Sequence, residues 1–315
     1  MSQTTSPVNA MPGAVIAPVR SKKVSKSFFV SSFARFLHSK LNIVTLAVLA
    51  VITIISYSAP WIADNILHQT RDSIDFDLVS RSIQLPAPPG TPNHLLGTDD
   101  LGRDLLVRLI YGGQVSLSVG FLTAAISIVI GTSLGLISGF FGGWVDDLIN
   151  FVVQVLQNIP TLFLLLVVST LFAPNVLSLS LTIGLINWTG GTRFIRGAVL
   201  SLRNRDYIDA ARVTGASNVR LMGVHILPNV ISLMLVQVGF DVVGAMLLES
   251  GLSFLGFGLS IPIPSWGNML SNSKDYFTAA PWLVYAPALA FFVTVLCVYL
   301  VADGLRDAFD PRLKE

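Results

Sequence analysis

Apolar residues along this chain gather into long unbroken runs, not into alternating or helical stripes. Six runs, at 41–63, 116–141, 148–172, 176–195, 230–251 and 283–302, approach or exceed the length that crosses about 30 Å of hydrocarbon. Charge, Pro or Gly bounds each of them. In lipid such runs are helices, because no water is present to satisfy an open backbone. The pattern predicts an all-α integral membrane protein with six transmembrane helices. The fourth run reads as interrupted by Asn187-Trp188-Thr189-Gly190-Gly191. Pro160 predicts a kink in the third, with Asn158 placed to meet the freed backbone groups. The first run could be read as a signal peptide ending near Ser56-Tyr57-Ser58, but the long leader and the overlong apolar stretch argue against it.

Composition narrows the class. Of 315 residues, 52% are apolar and only 12% are charged, where soluble domains carry about 25% charged residues. That excludes an ordinary soluble enzyme and a disordered chain. A net charge of +2 offers no basic face for nucleic acid. The single Cys297 excludes an internal disulfide. His38, His68, His94 and His225 are scattered, and no H-E-x-x-H occurs. His94 beside Asp99 and Asp100 suggests either a metal site or a loop cap, and the loop cap is the plainer reading, so no metal is expected.

Basic residues set the orientation. With the N-terminus inside, segments 1–40, 193–227 and 303–315 hold 15 of the 20 Lys and Arg, and the outside segments 64–115 and 256–281 hold 5. This predicts N-in, C-in topology. Residues 1–24 carry no acid and read as a disordered cytoplasmic leader. Residues 25–40 place Phe29, Phe33, Phe36 and Leu37 on one face, which predicts an interfacial helix under the membrane; a plain basic flank is the alternative.

Two acids fall inside the fifth run. Asp241 and Glu249 would each cost about 2.5–3.5 kcal/mol at mid-bilayer, so they face protein or water. They line a pathway or gate, or they make helix-packing hydrogen bonds. Asn187, with Gln154, Gln157 and Asn158, is a weaker candidate of the same kind. Gly131, Gly135, Gly139 and Gly143 recur every fourth position and cut a groove for a close neighbour, in this chain or in a second subunit.

The inside loop 201–227 has its own design. Asp206 reads as an N-cap and Asp209 as its capping-box partner. The helix over 207–214 exposes Ala210-Ala211 beside Arg212, Gly215 allows a sharp break, and Ser217 caps a second helix running to Ile226. Pro228 starts the fifth span. The result is a helix–turn–helix knob whose small tip suits a partner's groove. Alternatively it is an amphipathic loop packed on its own bundle.

Tyr207-Ile208-Asp209-Ala210-Ala211-Arg212-Val213-Thr214-Gly215-Ala216-Ser217, followed by His225-Ile226-Leu227-Pro228-Asn229, resembles the EAA loop of ABC-importer permeases. The likeness is to the dipeptide/oligopeptide/nickel branch, C-type subunit. Three further stretches agree: His94-Leu95-Leu96-Gly97-Thr98-Asp99-Asp100-Leu101-Gly102-Arg103-Asp104; Leu252-Ser253-Phe254-Leu255-Gly256-Phe257-Gly258 with Pro264-Ser265-Trp266-Gly267-Asn268-Met269-Leu270; and Asp303-Gly304-Leu305-Arg306-Asp307-Ala308-Phe309-Asp310-Pro311. Two positions depart from the family pattern. Asp209 stands where Glu is usual, and Ala302 where Gly is usual.

The resemblance implies the type I ABC-importer permease fold, in the bacterial cytoplasmic (inner) membrane, and a non-catalytic half-channel. Its partners would be a homologous second permease, two cytoplasmic ATPase subunits carrying ATP and Mg, and an extracytoplasmic substrate-binding protein. Asp206, Tyr207, Asp209, Ala210, Ala211, Arg212, Gly215, Ala216 and Ser217 would couple to the ATPase. No G-x-x-x-x-G-K-[ST] loop occurs, so the chain has no phosphate loop of its own. Short peptides are the expected cargo; a nickel or other metal chelate is second. An ATP-independent secondary transporter is the rival class, and it has no need of the knob. Segment 64–115 either faces the binding protein as a small domain or caps the bundle and fixes the register of the second span.

Overall fold

The computed structural model describes residues 28–81, 86–172 and 174–309. The predicted leader lies outside them. The described chain is helical, with only isolated β-bridges. Its helices are α1 (Phe28–Phe36), α2 (Lys40–Tyr57), α3 (Ala59–Ile62), α4 (Phe76–Arg81), α5 (Leu105–Phe141), α6 (Gly143–Asn158), α7 (Thr161–Leu171), α8 (Val176–Leu202), α9 (Asp206–Val213), α10 (Asn218–Arg220), α11 (Leu227–Phe254), α12 (Trp266–Ser273) and α13 (Trp282–Phe309).

Four helical runs are individually long and apolar enough to cross a membrane: α2, α5, the continuous run Asn218–Phe254 and α13. The pair α6–α7 makes a fifth, bent by 82°. The break corrects the expected kink. Ile159 adopts extended backbone and Pro160 opens a new helix, so one helix ends and another begins. The Asn158 side chain is exposed and makes no hydrogen bond among the described residues. α8 has 27 residues, about 40 Å, yet it is less apolar than the others. Asn187 to Gly191 do not interrupt it: Trp188, Thr189 and Gly191 are buried inside an unbroken helix. The first run is shorter than expected, because Ser58 ends α2 and Pro60 opens α3.

Side-chain contacts give each helix its direction. A Cβ placed on Gly131 would meet Trp188 and Thr192, on Gly135 Thr192 and Ile195, and on Gly139 Arg196 and Val199. α5 and α8 therefore run parallel, and the glycine groove receives a helix of the same chain. Gly143 is not part of that groove. Gly142 and Gly143 have φ of +67° and +54°, and they make the turn into α6. Antiparallel to α5 runs α11, with Gly120 against Met246 and Ser116 near Glu249. α13 returns along α11, with Ala302 on Gly239, and α2 runs against α13, with Asn42 on Gly304. Because α5 and α8 end at the same side, α6–α7 must carry the chain back between them.

Two ends result. At the knob end lie α1, the start of α2 and the C-terminal parts of α5, α8 and α13, with the start of α11. At the cap end lie α3, the loops before α5, and α12. Of the predicted interfacial face, Phe36 is buried against Ala308 and Phe309, and Phe33 and Leu37 remain exposed. Three apolar clusters fill the bundle: around Met246 and Trp266 near the cap end, around Leu165, Ile183 and Leu252 between α5, α7, α8 and α11, and around Ile195, Ile208 and Ile226 under the knob.

Candidate functional site: the knob and its stem

α9 begins at Asp206, which corrects the expected cap. Arg205 holds the N-cap position with extended backbone and makes no side-chain cap. Asp206 and Asp209 instead lie in the first helical turn, where carboxylates meet the positive end of the helix. Asp209 Oδ1 accepts from Arg212 Nη1 at 2.7 Å. That pair is exposed on both sides and contributes below about 1 kcal/mol.

The anchor is Ile208. It is fully buried with Leu221, Ile226 and Val230 and with Ile195 and Val199 of α8. Ala211 and Ala216 are half-buried against that cluster. Gly215 has φ +87° and donates its N–H to Arg212 O at 3.0 Å, while Ala216 N–H reaches Ala211 O at 3.0 Å. This is a left-handed helix stop that a side chain would strain. Ser217 then caps α10, accepting from Arg220 N–H. A π-helical stretch, Leu221–Ile226, leads into α11, with Pro228 in its first turn as expected. One face of the knob is therefore packed on its own bundle and the other is held out. Ala210 is exposed, as are Tyr207, Val213 at 89% and Val219 at 75%.

The stem carries contacts that sequence reasoning missed. Arg196 of α8 binds Asp146 of α6 through two bonds of 2.6 Å each. Arg203 Nη1 donates to Gly139 O at 3.0 Å and so closes the C-terminal end of α5. No short-range spacing announces either contact, since the partners lie far apart in sequence.

The intramembrane candidates do not form one site. Glu249 has no exposure; Ser253, Ser116 and Ser250 hydroxyls point at its carboxylate from 2.8, 3.4 and 3.5 Å. These are the contacts that the packing alternative describes. Asp241 is buried, accepts from Gln237 at 2.8 Å, and keeps Oδ2 without a partner. Asn187 is half-buried on α8. Among the described residues, no hydrogen bond joins the three.

At the cap end, His94 faces Asp104 at 2.8 Å and Asp75 at 3.5 Å, not the adjacent Asp99 and Asp100. Asp104 caps α5 by accepting from Val107 N–H at 2.8 Å. Asp99 takes Arg103 at 2.7 Å and Arg108 at 3.2 Å. Burial, then the neighbouring Asp99, raises the Asp100 carboxyl above its ordinary value. Arg108 also donates to Pro262 O, and Trp266 Nε1 donates to Leu109 O at 2.9 Å. Segment 87–104 thus fixes where α5 begins, well before the expected start of the span at Ser116. α12, opened by its own Ser265–Asn268 capping box, packs on α5 through Trp266, whose backbone N–H donates to Ser116 Oγ at 3.2 Å.

An all-helical bundle of apolar spans with a half-exposed knob defines an integral membrane protein. Residues 131–315 match the family described as the binding-protein-dependent transport system inner membrane component. The oligopeptide transport system permease protein OppC of Haemophilus influenzae is 38% identical over 287 residues, covering 91% of this chain and 89% of that protein. The protein of the same name from Escherichia coli is 36% identical, covering 91% and 92%. The dipeptide transport system permease protein DppC of Alkalihalophilus pseudofirmus is 34% identical, covering 90% of each. The chain belongs to the binding-protein-dependent transport system inner membrane component family. It is a permease subunit of an ABC transporter, a multi-pass inner-membrane protein and not the catalytic part.

Proposed function

We propose that this chain forms half of the translocation pathway of a peptide importer and pairs with a homologous second permease. Its relatives are named for oligopeptide and dipeptide transport across nine-tenths of this chain, which supports peptides over a metal chelate. The observation that carries the coupling role is the knob: Ile208 anchors it, and Tyr207, Val213 and Val219 are held outward. Two cytoplasmic ATPase subunits, which carry ATP and Mg, would receive this face. Asp206, Asp209 and Arg212 would supply its charges, Ala210 and Ala211 its close approach, and Gly215, Ala216 and Ser217 its turn. An extracytoplasmic binding protein would meet the cap end.

The proposed topology has six crossings, N-in and C-in, with the bent α6–α7 as the third. Chain direction supports it, because α5 and α8 are parallel. The bias of Lys and Arg toward 1–40, 193–227 and 303–315 supports the orientation. In operation, ATP draws the two ATPase subunits together and their clefts move the knobs as rigid bodies. The motion passes up α8 and α11 and converts an inward-facing cavity into an outward-facing one. This is differential stabilisation of two states. Asn187 and Asp241 remain the pathway candidates, and Glu249 acts as a brace.

The test is co-purification with candidate ATPase and permease subunits. Retention by the parent chain and loss on Asp209→Lys or on knob deletion is the expected result. A chain that purifies alone and moves solute in liposomes without ATP would overturn the reading in favour of a secondary carrier.

A further inference from the structure

At the knob end a groove with about 280 Å³ of internal space opens between α1, the start of α2 and the end of α13. Gly304 makes its floor possible, since a Cβ there would lie 2.5 Å from the Asn42 side chain. Asn42 is tied down by donating to Phe36 O at 3.2 Å. The walls carry one cation, Arg35, and two carboxylates, Asp303 and Asp307. Arg35 donates to Ser32 Oγ at 3.0 Å and keeps its other donors. Among the described residues, no ion pair joins Arg35 to either carboxylate, and neither carboxylate makes a hydrogen bond or ion pair. Ser39 presents its hydroxyl at the N-terminus of α2, whose first turn holds no acid. Leu41 and Leu300 form an apolar rim. Leu41 is 57% exposed, and beyond it Val44, at 59%, also faces outward on α2.

We infer that this groove binds the headgroup of an aminophospholipid of the phosphatidylethanolamine type. The chemistry is that of a zwitterion. The phosphate accepts from Arg35 and Ser39 where the dipole of α2 also favours an anion. The primary ammonium donates to Asp303 and Asp307. The acyl chains leave past Leu41 and Leu300 into the bilayer. The groove lies where the first and last spans emerge at one membrane face, which is headgroup depth. A choline headgroup has no N–H to give the carboxylates, and a glycerol headgroup brings no positive charge. Neither satisfies both walls.

The test is native mass spectrometry of the full chain in mild detergent, offered equal amounts of phosphatidylethanolamine, phosphatidylcholine and phosphatidylglycerol. The first is expected to be retained about fivefold over the other two, the scale of a half-exposed charge pair. Asp303→Asn with Asp307→Asn abolishes that preference while total lipid stays. Arg35→Gln lowers retention of all three. Should the double variant unfold, Asp307→Asn alone, at an exposed position, is expected to halve the preference. Equal retention of the three headgroups overturns the inference, as does a preference unchanged in the carboxylate variants. A preference that appears only after Lys22, Lys23 and Lys26 are changed to Gln also overturns it, by assigning the groove to the chain's own leader.

Discussion

Arg196 grips Asp146 with two parallel hydrogen bonds, Nε to Oδ1 and Nη2 to Oδ2, both 2.6 Å. Asp146 also accepts from Ser138 at the end of α5 and from Asn150 Nδ2 at 2.7 Å. One carboxylate therefore joins α5, α6 and α8 where the knob's stem begins. A planar fork on a carboxylate is the geometry that makes such a pair worth more than a surface contact. Arg196→Lys keeps the charge and loses the fork, and is expected to cost about 1 kcal/mol; Arg196→Ala is expected to cost about 1–3 kcal/mol. A double-mutant cycle with Asp146→Ala, read by thermal unfolding in detergent, measures the coupling. Purely additive losses would remove the pair from the fold's framework.

The glycine groove yields a contrast within one pair of helices. A Cβ on Gly135 would lie 2.8 Å from Ile195 Cβ and 2.9 Å from Thr192 O, whereas one on Gly190 meets nothing within 4 Å. Gly135→Ala should destabilise by about 1–3 kcal/mol through overpacking. Gly190→Ala should be neutral or gain up to about 1 kcal/mol. Unfolding midpoints of the two variants test the placement. A reversed order would place the α5–α8 contact elsewhere.

Gly215→Pro removes the N–H that reaches Arg212 O and forces φ from +87° toward about −65°. The variant is expected to reach the membrane at parental levels while uptake is uncoupled from ATP hydrolysis. Failure to insert would count against a role confined to coupling. Val213→Asp probes the same face without touching the turn. At 89% exposure it should leave stability within about 0.5 kcal/mol, while retention of the ATPase in pull-downs falls.

Asp100 contributes a pH dependence at the cap. Burial first, then Asp99, lifts its carboxyl above 3.8, outweighing the opposing Arg103 and Arg108. A raised carboxylate favours the folded state when protonated. That contribution is full below 3.8 and is lost as pH rises through the folded value. Asp100→Asn is therefore expected to remove the loss of stability that the parent shows as pH rises through the folded value, and to be at least as stable as the parent at pH 7. Thermal midpoints across the pH range decide it. A variant less stable at pH 7 would mean that Asp100 contributes through its charge.

Much of this was legible from residue type alone. Long apolar runs foretold α2, α5, α11 and α13, and Gly215, Ser217 and Pro228 foretold the knob's turn and exit. What failed did so for local reasons. α5 starts early because Arg108, buried at the cap, reads as polar in any hydropathy window but is neutralised by Asp99. α8 survives Asn187 to Gly191 because Trp188 and Gly191 pack against Gly131 of α5. Asp206 is a poor guide because the cap position went to Arg205, where the backbone turns. The pairing of Arg196 with Asp146 was beyond reach, since only the parallel run of α5 and α8 brings them together. Ala302, which departs from the family pattern, is explained by Gly239: the methyl group fills the space that a glycine opposite leaves.

The length of α5 carries a mechanical consequence. Its 37 residues make a rod of about 55 Å, well beyond the roughly 30 Å of hydrocarbon. Asp104 fixes one end inside the cap, and Arg203 holds the other at the knob's stem. A stiff beam pivoted within the bilayer swings both tips at once and in opposite senses; about 10° of tilt carries each by about 5 Å. Whatever loads one face and whatever pulls on the other are then two hands on one lever, with no relay of loops between them to absorb the stroke.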